Sequence, residues 1–267
     1  MHRYDLTDEQ WVRLAPLLPP RKPRTGRPNH DHRPIINGIQ WILRTGAPWQ
    51  DLPERYGNAK TVSSRFYRWR AAGIWDRILV RLQQQADQAG RVDWNLHFVD
   101  SSVIRAHQHA AGAKKGTQQE ALGRSRGGFS TKIHVRAEGQ GKPVVFVLTA
   151  GERHDQIALP AVTKRGAIKR RGRGRPRLRP WRLVGDKGYS SQTVRAALRR
   201  RGIGAVIPTK SNERRIPRFD KAAYRERNRV ERLFNRLKQC RRIATRYEKR
   251  AANYHALLTI AAILLWL

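Results

Sequence analysis

Apolar residues recur at helical spacing through the first third of the chain, give way to short β-branched runs in the middle, and return to helical spacing at the end. Trp11, Leu14, Leu17 and Leu18 form the apolar face of a first helix, with Asp5 or Thr7 as its cap and Pro19-Pro20 as its stop. A basic stretch, residues 21–34, either lies along phosphates or is a plain solvated linker, and a second helix is expected over 35–44. Residues 49–56 and 61–72 read as two short helices joined by a turn at Gly57, which is helix-turn-helix spacing. In the second of them Val62, Phe66 and Trp69 point inward, leaving Ser63, Ser64, Arg65, Tyr67, Arg68 and Arg70 outward. That composition suits a DNA groove, although basic three-helix bundles also arise without reading DNA. A further helix is expected over 74–88, and 89–95 marks a boundary between a helical domain, residues 1–90, and a second domain, residues 95–267.

Beyond the boundary the spacing becomes strand-like. Residues 96–104, LHFVDSSVI, are apolar and β-branched with Asp100 in their middle. Residues 131–137 and 143–149 make two more strands around the turn EGQGK, and residues 181–185 and 203–207 a fourth and a fifth. Helices are expected over 156–163, with Asp155 as N-cap, and over 191–201. Residues 164–180 hold nine basic residues among Gly and Pro and read as a mobile loop. The loop 106–129 is too long to be passive, and its Lys114, Lys115, Arg124 and Arg126 suit contact with a polyanion. Three strands in antiparallel meander, then alternating helices and strands, make a mixed sheet covered by helices, an α/β (α+β) class.

The stretch 224–238, YRERNRVERLFNRLK, contains no Gly or Pro and places Val230, Leu233, Phe234 and Leu237 on a buried stripe. At about 100° per residue, Tyr224, Arg227, Glu231 and Lys238 fall on an adjoining face, so Glu231 sits at the rim of the core. Residues 257–267 are the most apolar run, but a bilayer span takes about 20 residues. They read as a core helix with Leu257, Leu258, Ile260, Ala261, Leu264 and Leu265 inside.

Charge adds a partner. Fifty-six Lys and Arg against 20 Asp and Glu give a net charge of +36, mostly Arg, whose planar fork suits phosphate. A polyanion is implied, nucleic acid before membrane, since no long Lys-rich amphipathic helix or lipidation motif stands at either end. The single cysteine, Cys240, excludes an internal disulfide and a Cys-based zinc site and fits a reducing compartment, and the opening residues do not read as a signal peptide.

Acidic residues are scarce, yet Asp100 lies inside an apolar strand, Asp186 at the tip of another and Glu231 at a core rim. Buried carboxylates need a cation or hydrogen-bond donors, so the three suggest a shared metal site. Each also has a plainer explanation: Ser101 and Ser102 bonding Asp100, Asp186 capping its turn through Gly188, and Glu231 pairing with Arg227 one helical turn away. Of the histidines, His97, His107, His109, His134 and His154 show no persuasive metal spacing, and His107 and His109 read as loop residues near DNA.

The segments FVDSSVIRAH around Asp100 and VGDKGY around Asp186, with Tyr224, Arg227, Glu231 and Lys238 spaced Y-x2-R-x3-E-x6-K, make this chain resemble bacterial insertion-sequence DDE transposases. It looks most like the insertion-sequence-5-like group of the insertion-sequence-4/5 superfamily. YDLTDEQWVRLAPLLPP, LRTGAPWQDLPERYG, HQHAAGAKKG, ALGRSRGGFSTKIH and RRIATRYEKRAANYHALLTIAAILLWL extend the likeness over nearly the whole length, and the separations of 86 and 45 residues between the three carboxylates suit it.

The resemblance implies a ribonuclease H-like catalytic fold in which Asp100, Asp186 and Glu231 hold two Mg²⁺ ions, with Mn²⁺ as substitute. The short connection 208–220 suggests that the large β insertion of some relatives is missing. Arg227 and Lys238 would bind phosphates beside the metals, Tyr224 would contact the same strand, and Ser64, Arg65 and Arg68 would read double-stranded DNA. The expected reaction is nicking at the element end by water, followed by attack of the freed 3′-hydroxyl on target DNA. A homodimer joining two ends, in a bacterial cytoplasm and associated with the nucleoid, follows from such a reaction. Two alternatives stay open: a ribonuclease H-like nuclease without strand transfer, and a DNA-binding regulator or domesticated remnant, against which the intact carboxylates argue.

Overall fold

The computed structural model describes residues 2–22, 28, 30–111, 120–125, 127–170, 172–213 and 217–267. Helix α1, Asp8–Leu14, starts at Thr7, whose hydroxyl accepts from the Gln10 amide while the Gln10 side chain accepts from the Thr7 amide. This capping box settles the cap on Thr7 rather than Asp5. Helix α2, His32–Thr45, begins earlier than the apolar pattern because Asp31 caps it and Pro34 is tolerated in a first turn; Gly46 at φ 75° ends it.

The expected helix over 49–56 is instead two single 3₁₀ turns, Trp49–Asp51 and Glu54–Tyr56. Pro53 holds Leu52 extended at ψ 125° and prevents one continuous helix. Helix α3, Ala59–Ala71, follows from an Asn58 cap, and α4 is Ile74–Gln88.

A second correction concerns α3. Arg65 does not face outward: it is 3% exposed, bonded through Nη1 to His32 Nδ1 at 2.9 Å and set over the Trp69 ring. The buried stripe is therefore Val62, Arg65, Phe66 and Trp69, the i, i+3, i+4, i+7 set with a cation in one place. The Arg65 stem packs like an apolar side chain while its head finds a ring nitrogen. Ser64 and Arg68 remain exposed.

Six strands form one mixed sheet: β1 Leu96–Arg105, β2 Gly123–Ser125, β3 Gly128–Ala137, β4 Pro143–Ala150, β5 Arg182–Val184 and β6 Gly204–Val206. The spatial order is β4, β3, β1, β5, β6, with β2 also on the outer edge of β3. The three long strands are antiparallel, and β1, β5 and β6 run parallel. This is the mixed sheet expected of a ribonuclease H-like domain. Only β2, three residues inside a Gly- and Arg-rich loop, lacked a pattern to announce it.

Helices α5, Asp155–Lys164, and α6, Gln192–Arg200, cover one face of the sheet through Val99, Leu159, Val162, Leu183, Val194 and Leu198. The other face carries α7 Lys221–Arg225, α8 Asn228–Lys238, α9 Arg241–Ala244 and α10 Ala251–Trp266. The N-terminal helices share that second core, so apolar packing is continuous from Leu14 and Ile39 to Trp266 across residues 89–95. The indole of Trp266 donates to the Pro143 carbonyl at 2.8 Å. Residues 164–180, expected to be mobile, are pinned where they are described. The fully buried Arg136 donates to the carbonyls of Arg165, Gly166 and Leu178, and Arg177 stacks over Trp94. Among the described residues no helix is long and apolar enough to cross a membrane.

Candidate active site

Strand register brings the first two carboxylates together. Phe98 on β1 pairs in parallel with Val184 on β5, and both belong to the core under α8. Side chains alternate along a strand, so Asp100 leaves the sheet on that same side, and Asp186, in the turn after β5, is close enough for its charge to act on Asp100. Asp100 is 8% exposed. Helix α8 packs against β1 through Val230, Leu233, Phe234 and Leu237, all buried as the stripe predicts, and brings up Glu231 with half of its side chain exposed.

The helix expected over 224–238 is divided. At Glu226 and Arg227 the backbone stays right-handed but tightens, with the Arg227 amide bonding the Tyr224 carbonyl and the Val230 amide bonding that of Arg227. The tightened turn aims Arg227 at the sheet. Its Nη2 lies 3.2 Å from Asp100 Oδ2 and its Nη1 2.5 Å from Glu231 Oε1, so one guanidinium joins two of the three carboxylates.

The plainer explanations offered by the sequence are also present, with Ser101 and not Ser102 bonding Asp100. The Ser101 amide donates to Asp100 Oδ1 at 2.9 Å, the Gly188 amide to Asp186 Oδ1 at 2.9 Å, and Arg227 pairs with Glu231. These contacts occupy one oxygen of each Asp and leave the other for a cation, a place that Arg227 takes at Asp100.

Burial raises the Asp100 pKa to about 6, and Asp186 and Glu231 push it the same way against Arg227 and the Ser101 amide. Arg227 is held above its usual range: burial opposes its charge, but Asp100 and Glu231 outweigh that. Tyr189, buried beside the site, is driven well up by burial and then by the charges of Asp155, Asp100 and Asp186.

Among the described residues no three His, Cys, Asp or Glu side chains stand grouped at metal-ligating spacing. The donor set nevertheless fits a hard divalent ion: all-oxygen carboxylates, near enough to perturb one another, with a cationic group already joining two of them.

Of the other expected contacts, Tyr224 is half-buried against Phe219, Lys238 is exposed in the last turn of α8, and Arg124 is exposed over the Phe129 ring. Lys114, Lys115 and Arg126 lie outside the described residues. Asp155 is not the N-cap of α5. His154 holds that position, and Asp155 turns inward to Ser101 Oγ at 2.7 Å and Lys132 Nζ at 3.1 Å. The sequence offered no period or spacing that tied residue 155 to residue 101.

Residues 96–266 match the family model described as "Transposase DDE domain", and residues 6–79 that of "Putative transposase of IS4/5 family". The chain is 40% identical over 117 residues to "Insertion element IS402 uncharacterized 16.2 kDa protein" of Burkholderia cepacia, covering 42% of this chain and 78% of the other. It is 32% identical over 135 residues to "Putative transposase for insertion sequence element IS402" of the same organism, covering 51% and 62%. Among solved structures, a piggyBac transposase synaptic complex with hairpin DNA aligns over 97% of this chain and 73% of that one, at 13% identity and a TM-score of 0.48.

The raised pKa of Asp100 gives a pH-dependent expectation. Between the ordinary value of about 3.9 and about 6, the folded chain keeps a proton that the unfolded chain releases, so stability falls as pH rises through that window. Asp100→Asn removes the penalised charge. Thermal unfolding in EDTA should show the variant melting higher than wild type at pH 7.5, with the gain vanishing at pH 4. A difference that does not change with pH would contradict the burial account.

Proposed function

We propose, for a chain that belongs to the DDE transposases of insertion-sequence-4/5 type, a metal-dependent reaction on the DNA ends of its own element. The observation that supports it is the Arg227 guanidinium joining Asp100 of β1 to Glu231 of α8, with the charges of Asp186 and Glu231 both acting on Asp100. Asp100, Asp186 and Glu231 would hold two Mg²⁺ ions, or Mn²⁺ in their place. Such ions, when bound, stabilise the charge that develops on the attacking and leaving oxygens of a phosphodiester.

The chain's own part is binding and placement. Arg227, released from one carboxylate, has a planar fork free for a phosphate near the scissile bond, and Lys238 on the same helix supplies a point charge. Tyr224, half-buried at the end of α7, is placed for the same strand. The exposed face of α3, with Ser64 and Arg68, contacts the duplex of the terminal repeat, and Arg124 adds a phosphate contact from the β2 edge. Water would nick the element end, and the freed 3′-hydroxyl would then join target DNA. Two ends require two copies, so the working form is a homodimer, acting on the nucleoid of a bacterial cytoplasm.

Glu231→Gln is expected to abolish cleavage of a duplex carrying the gene's flanking repeats in Mg²⁺, with end binding kept within a few-fold. EDTA should silence the wild type equally. Cleavage that survives in the variant would remove Glu231 from the ligand set.

A salt titration separates two arginines. Arg68→Ala should reduce the slope of log affinity against log salt by about 1. Arg65→Ala should leave the slope alone and lower the melting temperature, since it empties a buried position. The opposite assignment of effects would place Arg65 on DNA.

A further inference from the structure

The parallel pairing of β1 and β5 stops at Phe98 and Val184, two residues short of either aspartate. Beyond that point β1 is still held by β3, with Asp100 opposite Val135, whereas the turn bearing Asp186 has left the sheet. Besides the side-chain hydrogen bond between Tyr189 and Ser101, the first turn of α5 contacts both segments. Asp155 Oδ1 accepts from Ser101 Oγ, next to Asp100, at 2.7 Å and pairs with Lys132 of β3 at 3.1 Å, and Lys132 also donates to the Arg153 carbonyl. Gln156 Nε2 donates to the carbonyls of Gly188, at 3.1 Å, and Ser190, at 2.9 Å, on either side of Tyr189 in the Asp186 turn. The fit around that turn is close. A Cβ placed on Gly188 would lie 3.0 Å from Asp155 Oδ2 and 3.0 Å from Asp186 Oδ1.

We propose that Asp155 and Gln156 are positioning residues for the transposase reaction: Asp155 fixes the Asp100 strand through Ser101, Gln156 fixes the Asp186 turn, and the rigid first turn of α5 sets the distance between the two carboxylates. This rests on the reading of Asp100 and Asp186 as metal ligands. In this role Asp155 and Gln156 act by holding ligands in place, as outer groups around metal sites do. The bracket explains why Asp155, a carboxylate in a strongly cationic chain, is turned inward toward a serine and a lysine instead of capping its own helix.

The test uses the full chain bound to a duplex carrying the flanking repeats, with Mn²⁺ as probe and free Mn²⁺ read by electron paramagnetic resonance. Asp155→Ala and Gln156→Ala should each raise half-saturating Mn²⁺ by about 10–100-fold, with DNA affinity unchanged and cleavage restored by excess Mn²⁺. Asp155→Asn, which keeps an oxygen for Ser101, should recover part of the loss. Ser101→Ala removes the same hydrogen bond from the other side and keeps the test open if Asp155→Ala does not fold. Combining Ser101→Ala with Asp155→Ala should cost less than the sum of the two single changes, because both remove the bond between them. Unchanged Mn²⁺ affinity in variants that melt like wild type, or additive effects in the double variant, would overturn the bracket. Absence of Mn²⁺ binding by the wild type would instead overturn the metal reading beneath it.

Discussion

Asp100 is buried where a sheet meets a helix, the charges of Asp186 and Glu231 raise its pKa further, and one guanidinium, that of Arg227, is the positive charge set against them. The rest of the architecture can be read from this constraint. Burial raises the Asp100 pKa, and even with Arg227 and the Ser101 amide lowering it the value stands at about 6, so the charged state that a cation would use depends on the support of those neighbouring groups. Arg227 gives that support and is itself half-buried, at a tightened turn that interrupts what the sequence pattern writes as one helix. The break between α7 and α8 thus falls at the residue that joins Asp100 to Glu231.

Around this point the fold divides its work between two cores. The stripe of α8 buries Val230, Leu233, Phe234 and Leu237 in the larger core, shared with α10 and the N-terminal helices, and so seats Glu231 against β1. The smaller core, under α5 and α6, seats the turn that follows β5 from the opposite face of the sheet. Asp100 lies on the strand between them. Each core thus positions one acidic partner relative to the same strand.

How much of this was legible in the sequence depended on the range of the interaction. Strands β1, β3, β4, β5 and β6 and helix α4 follow from local period, because alternation and helical spacing report directly which face is buried. The two 3₁₀ turns before α3 were misread as a helix because composition outweighed a single Pro53. Arg65 was misread because a count of apolar residues passes over a cation buried on its stem and partnered by His32, 33 residues away. Asp155 was misread for the same reason: its partners Ser101 and Lys132 are distant in the chain, and a helix-opening aspartate looks like a cap. The triad itself was accessible, since scarce acids in apolar settings stand out from a chain of net charge +36. Its bridging by Arg227 could be seen only as a one-turn pair with Glu231, not as a link across to β1.

The most direct test is anomalous scattering from Mn²⁺ in crystals of the protein bound to a duplex carrying the flanking repeats. The account predicts Mn²⁺ peaks against the carboxylates of Asp100, Asp186 and Glu231, with the Arg227 guanidinium moved from at least one of them onto a phosphate. Mn²⁺ bound elsewhere, with Arg227 still joining Asp100 to Glu231 beside the bound DNA, would contradict it.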